Sequence, residues 1–227
     1  MSKVFAHRGA HQRARENTLE AFRAALRLGV DGVELDVRHS ADGALVVHHD
    51  DAVEGRLIAK TRAAELPPYV CQLNDALATL ASVEVNIEIK NLPTEAGYDE
   101  SGTFVRRVVD CVREHASVEG ILFSSFDLAT CLRVREIAPE YDVGWLLWKR
   151  SVVESLEPAL SYGFHALHPH FSTVGSAEVA RARDAGVALN VWTVNHRRDL
   201  IRLSQWGVAT LITDEPVVAL AIRNEKA

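Results

Sequence analysis

GVELDVRHSADGALVVHHD, residues 32–50, decides how the rest of the chain reads. It divides into a strand (Val33 to Val37), a tight reversal at Asp42-Gly43, and a second strand (Ala44 to Val47) ending in His48-His49-Asp50. Side chains alternate faces along a strand, so Glu34 and Asp36 project to the same side. Two acids on one face are costly unless something neutralises them. Folding back at Asp42-Gly43 brings His48 or His49 level with Asp36, which gathers two oxygen ligands and an imidazole at one end of a strand pair. The alternative reading of the stretch taken alone is an exposed edge hairpin with solvated acids.

The flanking sequence supplies the context. Upstream, Val4 to His7 reads as a short strand that runs into the polar loop HRGAHQRAREN. Asn17 is expected to cap the next helix, with Glu20 as the reciprocal partner of a capping box. Leu19, Phe22 and Leu26 form that helix's apolar stripe, and Gly29 ends it. Downstream of Asp50, a polar stretch through Pro67-Pro68 reads as loop. Helices are then predicted at about Leu73 to Leu80, Phe104 to His115, Asp127 to Ile137, Val152 to Leu160, Ser176 to Asp184 and His196 to Trp206. Strands fall between them: Glu84 to Ile89, Ile121 to Phe123 running into Ser124-Ser125-Phe126, Val143 to Leu147, ALHPH, ALNVWTVN and ATLITDEP.

One local pattern recurs. A helix ends at Gly and a strand begins about two residues later, at Leu28-Gly29-Val30, Tyr162-Gly163-Phe164, Ala185-Gly186-Val187 and Trp206-Gly207-Val208. Gly supplies the left-handed position that closes a helix, and the short loop sends the chain straight into the sheet. Eight strands each adjoin a helix: VFAH, GVELDV, VNIEI, ILFSS, VGWLL, ALHPH, LNVWTV and ATLIT. Ala44 to Val47 is extra, because its link from Asp36 is too short for a helical crossover. The expectation is a single α/β domain over residues 1–227, a (β/α)₈ TIM barrel with a small hairpin insertion after the second strand. A doubly wound open sheet is the alternative, but no GxGxxG follows the first strand.

Composition narrows the function classes. At 227 residues and 48% hydrophobic content the chain can bury a full core. Its formal charge of -6 argues against nucleic acid or an anionic membrane as partner, though not against a small anionic substrate. Cys71, Cys111 and Cys131 fit neither a disulfide framework nor a zinc pattern, so buried thiols in a reducing compartment are expected. No apolar run reaches membrane-spanning length, and a cytoplasmic location is expected.

In a barrel the polar residues His7, Glu34, Asp36, Glu88, Lys90, His168, Trp192 and Asp214 all fall at strand C-terminal ends, the rim where such folds place their sites. The hairpin then rises above the rim and delivers His49 to the mouth. Glu34, Asp36 and Glu88 would repel strongly without a cation between them, and oxygen ligands favour Mg²⁺ or Ca²⁺ over zinc. His7 and His49 are candidates for an acid/base pair. Arg8 and Lys90 offer positive charge to a substrate anion, with charge balance for Glu88 as the other reading of Lys90. Trp192 serves either as an apolar wall for a substrate or as a cap on the core. His168 and His170 share a face and could add a ligand or a hydrogen bond. Cation, imidazoles and basic side chains together suggest hydrolysis of a phosphate ester.

At this point the sequence resembles the glycerophosphodiester phosphodiesterase family. The matching motifs are HRG (His7 to Gly9), ENT (Glu16 to Thr18), GVELDV (Gly32 to Val37), DG and VVHHD (Asp42 to Asp50), IEIK (Ile87 to Lys90), SSF (Ser124 to Phe126), VWTVN (Val191 to Asn195) and ITDEP (Ile212 to Pro216). The resemblance implies a (β/α)₈ barrel and metal-dependent hydrolysis of small-molecule glycerophosphodiesters to glycerol 3-phosphate and an alcohol. It implies that Glu34, Asp36 and Glu88 bind one divalent ion and that His7 and His49 are the acid and base. Arg8 and Lys90 would contact phosphate, and Trp192 would line the glycerol side. The segment after HHD departs from the family pattern: PPYVCQLNDAL stands where a PTLEE-like segment is common, and a small lid implies an open mouth. A lysophospholipase D-type enzyme on the same centre would need an apolar channel or interfacial helix, and the sequence shows no clear one. A non-catalytic barrel would be expected to lack one of the paired histidines or acids, and all are present.

Overall fold

The computed structural model describes residues 1–117 and 119–225. Its strands are β1 (Lys3–His7), β2 (Gly32–His39), β3 (Leu45–Val47), β4 (Ala52–Val53), β5 (Arg56–Leu57), β6 (Glu84–Ile89), β7 (Ile121–Ser125), β8 (Asp142–Leu147), β9 (Ala166–Pro169), β10 (Ala188–Val191) and β11 (Thr210–Thr213). Its helices are α1 (Leu19–Leu28), α2 (Leu73–Thr79), α3 (Thr103–His115), α4 (Leu128–Ile137), α5 (Val152–Ser161), α6 (Ser176–Asp184), α7 (Arg197–Trp206) and α8 (Pro216–Asn224). Eight strands pair in parallel in the order β1-β11-β10-β9-β8-β7-β6-β2, and β2 returns to β1 to close the barrel. The predicted (β/α)₈ architecture is therefore the observed one.

Strand parity explains how one sequence faces two environments. Odd-numbered residues such as Val33, Leu35, Val37, Val85, Ile87, Ile89, Val143 and Leu189 join the apolar layer under the helices. Even-numbered neighbours, among them Glu34, Asn86, Glu88, Leu146 and Ile212, line the cavity at the barrel mouth. The alternation follows from the pleat. Gly144 lies inside, where a Cβ would collide with the imidazole of His168. Each predicted helix-ending glycine has a positive φ: 75° at Gly29, 67° at Gly163, 74° at Gly186 and 81° at Gly207.

The hairpin strand β3 pairs antiparallel with the end of β2, Val37 opposite Val47. It occupies the edge that β1 leaves after Glu34, because β1 pairs with β2 only from Gly32 to Glu34. Three expectations need correction. The stretch after Asp50 is not plain loop: β4 and β5 form a small hairpin there, and Val46, Val53, Ile58 and Leu66 bury an apolar cluster of their own beneath it. The last element is not β11 but α8, which starts at Pro216, a residue well suited to a helix's first turn. Thr18 rather than Asn17 caps α1, accepting from the Ala21 N–H. Asn17 is held at φ 56° with its amide turned toward the site. All three cysteines are free; the expected burial holds for Cys131, while Cys71 and Cys111 are half-buried. No helix among the described residues is long and apolar enough to cross a membrane.

Candidate active site

At the C-terminal mouth, β2 and β6 run in register with Glu34 beside Asn86 and Asp36 beside Glu88. Ligand oxygens of Glu34, Asp36 and Glu88 all lie within 4.8 Å of one another, and all three residues are buried. Two cations accompany them. Lys90 Nζ lies 3.0 Å from Asp36 Oδ1 and also pairs with Glu88, while Arg8 Nε lies 3.2 Å from Asp36 Oδ2. Three carboxylates against two cations leave one negative charge in excess, and its cost falls on Glu34. Burial, then Asp36 and Glu88, push its carboxyl well above the usual range. Burial would raise Asp36 as well, but Lys90, Arg8 and the two imidazoles reverse this and hold it well below. Glu34 Oε1 has no hydrogen-bond partner although it is buried, whereas Oε2 accepts from the Arg8 N–H at 3.1 Å. A lone buried carboxylate oxygen facing two other acids fits a divalent cation held by Glu34, Asp36 and Glu88.

The two predicted imidazoles both line this cavity, which encloses about 130 Å³ together with Arg8, Glu34, Glu88, Lys90 and Trp192. His7 ends β1, its Nε2 3.8 Å from Glu34 Oε2. His49 comes from the hairpin as the sequence indicated, and its pKa is lowered, by burial first and then by Lys90. Its Nδ1 is 2.7 Å from Asp50 Oδ1. His48 bonds to the Asp50 carbonyl and takes no part in lining the cavity. Trp192 is held by its indole N–H, which donates to the His168 carbonyl at 2.7 Å. His168 itself is fully buried beside Asn190, which lies 3.0 Å away, and burial pushes its pKa down to about 3. It is a neutral core group rather than a ligand.

For several supporting residues the sequence did not indicate the partner. Asn17 both donates to Asp36 Oδ2 at 2.8 Å and accepts from the Asp36 N–H at 3.3 Å. Glu16 holds the other end of the Arg8 guanidinium at 2.9 Å. Arg38 is buried, donates from Nε to the His49 carbonyl at 2.9 Å and pairs with Glu95 at 2.8 Å, so it pins the turn that carries His49. Asp214, noted only as a rim residue, takes Nδ1 of His7 at 2.6 Å and Nε2 of His11 at 3.0 Å on one oxygen. Asn195 donates to its other oxygen at 2.6 Å. ENT and ITDEP did contain three of these residues, but nothing local to either motif names its partner.

A closed parallel barrel that gathers carboxylates, imidazoles and a guanidinium around one cavity at its C-terminal mouth is arranged as an enzyme barrel. The sequence model of the Glycerophosphoryl diester phosphodiesterase family matches residues 7–60 and 53–218, and the chain belongs to that family. It is 30% identical over 236 residues to a glycerophosphodiester phosphodiesterase of Caldanaerobacter subterraneus subsp. tengcongensis, covering 94% of each chain. Among solved structures it is similar to the glycerophosphodiester phosphodiesterase of Thermotoga maritima, with a TM-score of 0.82 and 26% identity over 99% of this chain and 98% of that one. It also shares the fold of an Oleispira antarctica phosphodiesterase solved with the product sn-glycerol-3-phosphate, with a TM-score of 0.89 and 24% identity over 99% of this chain and 97% of that one.

Proposed function

We propose that this protein hydrolyses glycerophosphodiesters to glycerol 3-phosphate and an alcohol with the help of one divalent cation, Mg²⁺ or Ca²⁺. The observation that carries the reading is the buried Glu34–Asp36–Glu88 cluster with His7 and His49 lining the same cavity. Glu34, Asp36 and Glu88 hold the ion, which when bound supplies charge stabilisation to phosphoryl oxygens. Arg8 and Lys90 neutralise the remaining charge on the phosphate, the guanidinium already braced by Glu16 and Asp36. One imidazole takes the proton of the attacking oxygen and the other protonates the departing alkoxide. The attacker is water or the glycerol's neighbouring hydroxyl, and a run in labelled water that looks for a transient cyclic phosphate separates the two. Trp192 walls the carbon side of the glycerol.

The test is a panel of glycerophosphodiesters assayed for glycerol 3-phosphate, with and without EDTA and with Mg²⁺ or Ca²⁺ restored. Turnover lost on chelation and regained with one ion supports the reading. Full turnover after complete chelation removes the ion's role, and full turnover in both His7→Ala and His49→Ala removes the acid/base pair. An open mouth further predicts that several headgroup esters are turned over.

A further inference from the structure

Beside the carboxylate cluster, the barrel mouth gathers a second set of ligand atoms, and one of its members, His11, has no part in the proposed reaction. Nδ1 of His7 and Nε2 of His11 lie 2.6 Å and 3.0 Å from the same Asp214 oxygen. One ligand atom from each of the three residues lies within 4.8 Å of the others. The neighbours fix this geometry. Asp214 gives Oδ2 to Asn195 at 2.6 Å and its carbonyl to the Gln12 amide, which leaves Oδ1 for the two imidazoles. His11 sits on a loop pressed against α1. Gly9 has φ 85°, a Cβ there would stand 2.8 Å from the Ala21 backbone, and the Ala10 N–H donates to the Ala21 carbonyl at 3.0 Å. The side chains of His7, His11 and Asp214 are 15%, 23% and 28% exposed, so an ion reaches them from solvent.

Donor chemistry separates the two sets. Glu34, Asp36 and Glu88 offer oxygen alone, which suits a hard ion. Two imidazole nitrogens and one carboxylate suit Zn²⁺ and its first-row neighbours instead, and Mg²⁺ or Ca²⁺ poorly. Three protein ligands also leave the fourth position of a tetrahedral ion to water. Metal–ligand bonds of about 2.0–2.2 Å place the ligand atoms of such a site roughly 3.3–3.6 Å apart, so His7 and Asp214 need part by only about 1 Å. The ion then stands where the hydrogen-bonded protons stood. Charge around the set is mixed: Glu16 favours positive charge at His11 and Arg8 opposes it.

We infer that His7, His11 and Asp214 form an inhibitory site for Zn²⁺, separate from the carboxylate cluster, through which a transition ion stops the proton transfer of His7. The inhibition rests on the proposed phosphodiesterase reading; the binding does not. Zn²⁺ takes the lone pairs of His7 Nδ1 and His11 Nε2. The single proton of the neutral His7 ring moves from Nδ1 to Nε2, and that of His11 from Nε2 to Nδ1, with no covalent bond broken and no change of oxidation state. His7 Nε2, 3.8 Å from Glu34 Oε2, then holds a proton and accepts none. With Nδ1 on the metal the ring cannot become an imidazolium, so it serves neither as base nor as acid.

The experiment holds Mg²⁺ or Ca²⁺, whichever supports turnover, at saturation and titrates ZnCl₂ into the intact protein. Heat is followed by calorimetry, and release of glycerol 3-phosphate from glycerophosphoethanolamine is followed in parallel. The expected result is one Zn²⁺ bound per chain, turnover lost over the same zinc range, and recovery once zinc is chelated and the activating ion restored. A tenfold rise in the activating ion should move the half-inhibitory zinc concentration by less than about twofold, whereas competition for one site would move it about tenfold. His11→Ala and His11→Gln should each weaken zinc binding and raise that concentration by about tenfold or more, measured against the variant's own zinc-free rate. His48→Ala removes an imidazole outside the cavity and should change neither. Zinc binding or inhibition that both His11 variants leave unmoved overturns the inference, as does inhibition that the activating ion relieves in proportion, because zinc then acts at the carboxylates. Failure of zinc to bind the loaded protein overturns it too. Zinc that binds through His11 and leaves turnover intact overturns the inhibition and the acid/base role of His7. Absence of turnover with every ion overturns the phosphodiesterase reading, while calorimetry on the His11 variants still decides the site.

Discussion

His7 and Asp214 lie 207 residues apart in sequence and 2.6 Å apart in space, Nδ1 against Oδ1. Burial would raise the Asp214 carboxyl, but its hydrogen bonds with His11 and His7 hold it well below the usual range, so it stays an acceptor. An ionised carboxylate accepts only, so His7 must carry a proton on Nδ1, and its Nε2 faces Glu34 and the cavity. Asn195 braces the carboxylate from behind, taking the Asp214 N–H at 2.9 Å and donating to Oδ2.

Replacing Asp214 by Asn should therefore lower kcat by about 10- to 100-fold with little change in KM, the range common for partners that orient a working imidazole. In a His7→Ala background the same change should cost nothing further, because the two residues act as one unit. Steady-state kinetics of the four proteins checks this. Equal losses in both backgrounds would show that Asp214 matters for the loop rather than for His7.

Glu34→Gln separates stability from activity. The parent carboxylate is buried against two other acids and bears their excess charge. Its amide should raise Tm in EDTA by about 2–4 °C for each kcal/mol of repulsion removed. The same protein should lose divalent-ion binding by calorimetry and turnover with it. A lower Tm in EDTA would contradict the repulsion argument.

Arg38 is the strut under the second imidazole, joined to the His49 carbonyl and to Glu95. Arg38→Gln should leave the ion-binding cluster intact yet reduce kcat by about 10-fold or more, since small misplacements of a catalytic group are costly. Ion affinity near the parent value with depressed kcat is the expected pair of results. Unimpaired turnover would remove the strut from the account.

The His11–Asp214 contact sets a pH window for stability. His11 is raised, chiefly by its hydrogen bond to Asp214, and Asp214 is lowered. A raised imidazole contributes stability in full below its unfolded value of about 6.5, and the contribution is lost as pH climbs through the folded value. A lowered carboxyl contributes above about 3.9 and loses the contribution as pH falls through its folded value. The Tm difference between the parent and His11→Ala should thus be largest between these limits and should fade on the alkaline side. Thermal scans across pH measure it, and a difference that grows with alkalinity would refute it.

How far the sequence could be read follows from the range of the interactions. Gly29, Gly163, Gly186 and Gly207 signal their helix ends locally, and the acids on β2 share a face by parity alone, so the barrel and the Glu34–Asp36 pair were legible. Glu88 needed only the expectation that β6 lies beside β2. Asp214 was visible as a rim residue but not as the partner of His7, because that pairing exists only once the last strand has docked against the first. Asn17 looked like a cap because capping is the commoner task for that residue; the demand from Asp36, nineteen positions away, outweighs it. The cluster under the insertion joins Val46 to Val53, Ile58 and Leu66, a set with no single period. Phe126, Trp148, His170 and Trp192 come together from four strand ends, and no local pattern announces such a set.

The seam where β1 meets β11 carries a consequence for the protein's synthesis. Lys3 to Ala6 pair with Thr210 to Thr213, and the residues immediately beyond that register are His7 and Asp214. An emerging polypeptide thus has its acids, its basic side chains and His49 in hand well before β11 exists, yet the orienting partner of His7 arrives only with that strand. A chain stalled or cut short before β11 lacks Asp214, and with it both the last pairing of the barrel and the group that fixes the His7 ring.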